Sequence, residues 1–151
     1  MNGVTKITSE PDVMMITLTN AQPASSLAEV LTAFAQNGIV VDMICQSAPR
    51  AATIDFSFTT SASYFDAAMQ TIAAFRADAA PLISSGYSKL NLFGEEMVTS
   101  CGVAARALRA LREADIEVSL ITTSDLDISL LVRAESEDIA LHTLREVFAV
   151  S

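Results

Sequence analysis

The sequence predicts an α+β fold built from two βαββαβ units, each an antiparallel four-stranded sheet with its helices on one face. Three observations predict it. The chain repeats itself, each copy runs through strand-like and helix-like apolar patterns in the same order, and the apolar content is high enough to fill two cores. The repeat is direct: Ala35-Gln36-Asn37-Gly38-Ile39-Val40-Val41-Asp42-Met43-Ile44 returns as Arg112-Glu113-Ala114-Asp115-Ile116-Glu117-Val118-Ser119-Leu120-Ile121, 77 positions later. Asp55-Phe56-Ser57-Phe58 returns as Asp127-Ile128-Ser129-Leu130 at an offset of 72, so one loop differs by five residues. Self-similarity at this period marks a duplicated structural unit. With 51% apolar and 18% charged residues, the 151-residue chain has ample material for packed cores.

In the first copy, Val13 to Leu18 is a short apolar run that reads as a strand. Leu27, Val30, Leu31 and Phe34 then recur at helical spacing. Ser26 with Glu29 three positions on forms a capping box at the start of that helix, and Gly38 is its stop signal. Ile39 to Cys45 reads as a buried strand. Ile54, Phe56 and Phe58 alternate with polar residues, the period of a strand with one wet face. Ser63 and Asp66 open a second helix that packs Phe65, Met69, Ile72 and Phe75. Asp78 to Pro81 breaks it, and Leu82-Ile83-Ser84 closes the unit as a short strand.

The second copy follows the same order. Lys89 to Phe93 is a strand, Gly102 to Ala114 a helix packing Val103, Ala107, Leu108 and Leu111, and Ile116 to Thr122 and Leu126 to Val132 are strands. Ser136 to Phe148 is a helix packing Leu141, Leu144 and Phe148, and no strand follows it. The missing last strand is assigned to Gly3-Val4-Thr5-Lys6-Ile7, which has no other role. The expected domains are therefore 13–85 for the first unit and 86–151 for the second, completed by residues 3–7. This order of elements is the ferredoxin-like arrangement.

Charge narrows the function classes. The net charge of −9 divides into −4 over residues 1–80 and −5 over 81–151, from three basic and seven acidic residues against six and eleven. Both halves repel phosphate backbones, so a nucleic-acid partner is not expected. No apolar run approaches the ~20 residues of a membrane span, and no signal peptide is visible at Met1-Asn2-Gly3-Val4-Thr5-Lys6. A cytoplasmic setting without membrane partners is the expectation. Cys45 and Cys101 have no metal or redox spacing; Cys45 reads as a small core residue, and Cys101 stands at a helix N-terminus, where a thiol can be activated.

Catalytic chemistry is sparse. His142, the one histidine, lies on a predicted helix face with no nucleophile near it in sequence. Phosphate-loop, dinucleotide and zinc-helix motifs are absent from the sequence, so no catalytic residue, cofactor or metal is assigned. Asp55 and Asp127 hold the same repeat position, which duplication explains without acid–base work. Two strand-to-helix turns hold more interest: Thr19 to Ser26 in the first copy and Gly94 to Gly102 in the second. Backbone N–H groups at such turns can hold a carboxylate, including that of an amino acid.

These residues carry a family likeness. Lys89-Leu90-Asn91-Leu92-Phe93-Gly94-Glu95-Glu96-Met97, running on to Gly102-Val103-Ala104-Ala105, resembles the second unit of the tandem-ACT regulatory region of aspartokinase. So does Ile116-Glu117-Val118-Ser119-Leu120-Ile121-Thr122-Thr123-Ser124-Asp125-Leu126-Asp127-Ile128-Ser129. Gly38 to Gln46 is similar to the matching stretch of the family's first unit, and Gly3-Val4 fits the segment that lends a strand to its second. The likeness covers nearly the whole chain and implies a non-catalytic ACT module. Such a module dimerises, binds lysine, threonine or both, and switches an aspartokinase catalytic domain or subunit in lysine and threonine biosynthesis. The kinase domain has no counterpart here, which fits either a natural regulatory subunit or part of a longer enzyme.

The effector-binding residues implied by the likeness are Asn20, Gln22, Ala24 and Ser25 in the first turn, Asp42 and Gln46, and Glu117, Val118, Ser124 and Asp125 in the second unit. Turn N–H groups would take the α-carboxylate, and Asp42 or Asp125 the ammonium. The chain departs from the family where Ala24 replaces a glycine of the first turn, where an aspartate of that turn is missing, and where Ser100-Cys101-Gly102 replaces His-Pro-Gly. The alternatives are a dimerisation scaffold that has lost its effector and a free-standing ACT sensor for another enzyme.

Overall fold

The computed structural model of the protein describes residues 3–22, 25–74 and 81–151. Its elements are β1 (Lys6–Ala21), α1 (Ser25–Gln36), β2 (Asp42–Gln46), β3 (Ile54–Ser61), α2 (Phe65–Ala73), β4 (Leu82–Phe93), α3 (Val103–Glu113), β5 (Leu120–Thr123), β6 (Asp127–Arg133) and α4 (Glu137–Phe148). The chain divides into two compact units. The first is Asp12–Gly86, and the second joins Tyr87–Ser151 to the N-terminal residues through Pro11.

Eight strands were expected in all, and the described residues form six because two pairs are continuous. The expected strands at 3–7 and 13–18 are parts of β1, which begins at Lys6 rather than Gly3. Those at 82–84 and 89–93 are parts of β4. Each long strand changes unit at a residue with positive φ or beside one, Asp12 at +56° and Gly86 at +84°. Within the first unit the order is β2, β3, the later part of β1, then the start of β4. Within the second it is β5, β6, the later part of β4, then the start of β1. Both orders read second, third, first, last along each copy, which is the ferredoxin-like arrangement.

In each unit the alternate strand residues that face the helices make the core. Met14, Ile16 and Leu18 of β1 and Ile54, Phe56 and Phe58 of β3 meet Val30 and Phe34 of α1 and Ala68 of α2. Phe34 and Phe58 pack edge-to-face with ring centroids 5.0 Å apart. In the second unit Leu90, Leu92, Ile128, Leu130 and Val132 meet Val103, Ala107 and Leu111 of α3 and Ala140, Leu144 and Phe148 of α4. Arg106 ties the two helices, its guanidinium 4.9 Å from the Phe148 ring centroid and donating to the Val147 carbonyl.

Several apolar residues expected inside lie outside. Phe65 and Met69 are 44% and 47% exposed, and α2 buries Ala68 and Thr71 instead. The small Ala68 side chain lets the helix close on the sheet, so the larger residues sit at its margin. Leu108 is likewise at the margin of α3. Of the stretch from Ile39 to Cys45, only Ile39 and Met43 are buried, whereas Val40 and Ile44 are 69% and 46% exposed. β2 is the outer strand of its unit and carries a bulge between Asp42 and Cys45, which turns residues outward. Cys45, expected in the core, is half-buried opposite Ser57. α2 opens not at Ser63 but through a 3-10 turn, Ala62–Tyr64, capped by Ser61, whose Oγ accepts the Ser63 N–H. Phe75 and Asp78 lie outside the described residues, and so does the side chain of Ser26 in the expected capping box.

The helix stop of the first copy recurs in the second with a different residue. Ile39 N–H donates to the Phe34 carbonyl and Gly38 N–H to that of Ala35, both at 3.0 Å. Ile116 donates to Leu111 at 2.9 Å and Asp115 to Arg112 at 3.0 Å. Both are Schellman closures, with φ of +70° at Gly38 and +59° at Asp115. A side chain in that backbone region costs about 1–2 kcal/mol. Gly38→Ala is therefore expected to lower the melting temperature by about 3–6 °C, and Asp115→Gly to raise it by a few degrees, in the same thermal melts.

The N-terminal segment reaches the second unit through a contact of two backbones. A Cβ on Gly94 would stand 1.7 Å from the Gly3 carbonyl oxygen, and Thr5 N–H donates to the Phe93 carbonyl at 2.8 Å. Val4 and Ile7 are thereby buried in the second core. Gly94→Ala must displace main chain, at about 3 kcal/mol or more. Circular-dichroism melts should show a fall of at least about 6 °C for this variant, and an unchanged midpoint would refute the crossing.

Candidate functional site

The register of each sheet decides which expected site residues share a neighbourhood. In the first unit Ala21 pairs with Ile54 and Gln46 with Phe56, so the end of β1, the start of β3 and the end of β2 meet at one end of the sheet. Asn20, Gln22 and Gln46 belong to that end. Asn20 has φ of +53° at an irregularity of β1, and its N–H donates to Asp55 Oδ1 at 2.9 Å. Gln22 and Gln46 are exposed there. Asp42 pairs with Thr59, further along β3, and stands apart from this group. Ala24 and the side chain of Ser25 lie outside the described residues.

Asp55 is the residue that organises this end. Its backbone N–H donates to Ser47 Oγ at 3.0 Å, and its carbonyl accepts the Ser47 N–H at 2.8 Å. With Oδ1 committed to Asn20, the carboxylate pins the first strand-to-helix turn to the loop between β2 and β3. Duplication accounts for the position of Asp55 but not for this bond. The signal in the sequence was the repeat itself, since Ser47 lies 77 positions before Ser124 and Asp55 lies 72 before Asp127.

The second unit carries the same clasp. Ser124 N–H donates to the Asp127 carbonyl at 2.9 Å, and Asp127 N–H donates to Ser124 Oγ at 3.2 Å. Here the Asp127 carboxylate accepts the Ser124 hydroxyl at 2.8 Å, so it is used within its own turn. Ser124 also accepts the Leu126 N–H at 3.3 Å, and Asp125 is exposed at the tip. Glu117 and Val118 precede β5 and lie at its opposite end, where the next residue, Ser119, donates to the Leu131 carbonyl at 2.8 Å. The structure thus groups Ser124 with Asp125 and separates both from Glu117 and Val118.

The two strand-to-helix turns differ chemically. In the second, a 3-10 turn over Glu95–Val98 consumes amides internally: Met97 donates to Gly94, Thr99 to Glu96 and Ser100 to Met97. The Ser100 hydroxyl is also spent, on the Glu96 carbonyl at 2.8 Å. Glu95 and Glu96 add two negative charges, which disfavours a carboxylate ligand. The first turn, Thr19 to Ser26, contains no acid, although α3, like α1, opens without one. The N-terminus of α1 is therefore the more suitable receiver of an anion.

Other sequence candidates have ordinary roles. His142 is an exposed helix residue 3.4 Å from Glu146 Oε1. Cys101 is exposed and Cys45 half-buried, and neither forms a disulfide. Among the described residues no cluster of metal-ligating side chains occurs, and no helix is long and apolar enough to cross a membrane.

Comparison with known proteins agrees with this architecture. Residues 90–148 match the ACT domain family. The chain is 29% identical over 146 residues to an aspartokinase of Geobacillus stearothermophilus, covering 96% of this chain and 36% of that protein. It is 30% identical over 153 residues to an aspartokinase of Corynebacterium glutamicum, covering 98% and 36%. The chain thus spans about a third of the length of these relatives. Its fold superposes on the ligand-free regulatory subunit of aspartate kinase from Thermus thermophilus with a TM-score of 0.87 at 24% identity, covering 97% of this chain and 99% of the other. A chain from the structure of aspartokinase alpha and beta subunits matches with a TM-score of 0.85 at 28% identity, again over 97% and 99%. The paired ferredoxin-like units, the ACT match in the second and the aspartokinase likeness along nearly the whole chain identify the protein as a regulatory ACT-domain region of the aspartokinase type.

Proposed function

We propose that this chain is an amino-acid-sensing and dimerisation module that regulates an aspartokinase catalytic domain or subunit, in the cytoplasm, with lysine, threonine or both as effector. The observation that carries this reading is the near end-to-end match to a chain of the aspartokinase alpha and beta subunits. The end of the first unit supplies fitting chemistry. Helix-terminal N–H groups of α1 would take the α-carboxylate, and Gln22 and Gln46 would bond its polar parts. Asp55, whose Oδ1 holds Asn20, offers Oδ2 to the ammonium, a role that register makes less suitable for Asp42. Ser124 and Asp125 form a second polar corner in the other unit, with Glu117 and Val118 lying away from it. Dimerisation is supported by β2, an outer strand with Ile44 exposed and with exposed Val40 just before it. Regulation is then linkage: the effector shifts the assembly only by its differential affinity for two states.

Thermal melts test this directly. Ligand at ~100 times its dissociation constant stabilises by about 2.7 kcal/mol, a rise of about 5–10 °C for a chain of this size. Lysine or threonine should produce that rise, while a flat response to all common amino acids, with a dimer retained in light scattering, would leave only the scaffold reading.

Two substitutions locate the effector. Gln46→Ala should leave the unliganded melt within about 1 °C, as exposed polar changes do, and abolish most of the ligand-induced rise. Asp55→Ala should lower the unliganded midpoint by about 2–4 °C, from loss of a charge-assisted bond of about 1 kcal/mol. It should also speed amide exchange at Asn20. An unaltered ligand response in both variants would move the site elsewhere.

A further inference from the structure

On the second unit, the sheet face turned away from α3 and α4 holds a cleft of ≈ 240 Å³ lined by Lys6, Thr8, Asn91 and Phe93. Its residues alternate with the core: Ile7, Leu90 and Leu92 point to the helices, so their neighbours point the other way. Asn91 is held in place by Ser129, which is buried and donates its hydroxyl to Asn91 Oδ1 at 2.9 Å. That bond occupies the amide oxygen and presents the Nδ2 hydrogens as donors. Lys6 makes no ion pair among the described residues, although twice as many acids as bases stand in the chain. Of the acids in phase with this face, Glu10 lies one step beyond Thr8 on β1, and Asp127 stands opposite Phe93 with its Oδ1 engaged by Ser124 in the β5–β6 turn.

An ammonium, an amide N–H₂ and a hydroxyl beside an aromatic ring form a donor-rich pocket with one apolar wall. We propose that this cleft binds a small organic carboxylate, its oxygens on Lys6, Asn91 and Thr8 and its short hydrocarbon part on the Phe93 ring. The cleft lies on β1 and β4 and shares no residue with the effector positions in the first turn or the β5–β6 turn. The proposal therefore stands whether or not the module senses amino acids. Its volume, below that of the usual drug-sized pocket of about 300–1,000 Å³, suits a ligand of metabolite size. Charge-assisted donors supply the attraction, which falls as salt rises.

The test is an amide-resolved NMR titration of the full chain with propionate and, separately, with inorganic phosphate at low ionic strength. Propionate should move the amides of Thr8, Asn91 and Phe93 with a dissociation constant on the order of 1–10 mM. Lys6→Met, which keeps the stem and removes the charge, should weaken it about tenfold or more, and Asn91→Ala should also weaken it. Gln46→Ala should not alter it. Absence of these shifts up to about 100 mM propionate, or equal affinity in Lys6→Met, would overturn the site. Shifts with phosphate and none with propionate would overturn the carboxylate assignment, because the ring would then contribute nothing.

Discussion

The second unit depends on a contact between two glycine backbones. Gly94 follows β4 with room only for hydrogen where the Gly3 carbonyl passes, and the approach lets Thr5 N–H bond the Phe93 carbonyl. Through it the N-terminal residues supply the last strand of a unit whose other strands begin more than eighty residues later. Closing so long a loop costs entropy, though only logarithmically in its length. Burial of Val4 and Ile7 against Leu90, Leu92 and Val103 offsets that cost. The same closure sets Lys6 and Thr8 beside Asn91 and Phe93, so the cleft on the other sheet face follows from how the unit is completed.

Duplication preserved backbone geometry more faithfully than side chains. The helix stop keeps both of its hydrogen bonds while glycine in one copy becomes aspartate in the other. The serine–aspartate clasp keeps both backbone bonds while the carboxylate changes partner, from the Asn20 N–H to the Ser124 hydroxyl. Loop length explains the second difference. The β5–β6 turn is short enough for Asp127 to reach its own serine, whereas the longer β2–β3 loop leaves Asp55 turned to the first strand-to-helix turn. A difference of five residues in one loop thereby frees a carboxylate in one copy for a neighbouring segment.

Much of this was legible in the sequence. The repeat, the order of elements and the stop at Gly38 rest on local patterns that tertiary structure does not override. The continuity of β1 and β4 was not legible, because each joins two short strand patterns across a residue of positive φ, Asp12 or Gly86, without ending the strand. Helical periodicity gave the wrong face for Phe65 and Met69, since spacing says which residues align but not which small residue sets the approach. Among the candidate site residues, Gln22 and Gln46 fell at one end of a sheet. Asp42 and Gln46, close in sequence, were parted by the extended strand between them. Ser47 was not legible, because a single serine in a loop has no pattern except through its distant copy.

The unequal turns bear on how such a module would respond. A carboxylate approaching the second turn meets Glu95 and Glu96 and finds the Met97, Thr99 and Ser100 amides already bonded. The first turn, Thr19 to Ser26, contains no acid, and the nearby Asp55 carboxylate accepts the Asn20 N–H. Coulomb repulsion and spent donors act in the same direction, so the copies do not offer two equivalent sites despite their common backbone. Under the proposed function, the first unit would supply the anion-binding end, and the second at most polar groups to the rest of an effector. Sensing by such a module would then rest on the difference between its copies, and the β2–β3 loop, where they differ in length, is where the carboxylate changes partner.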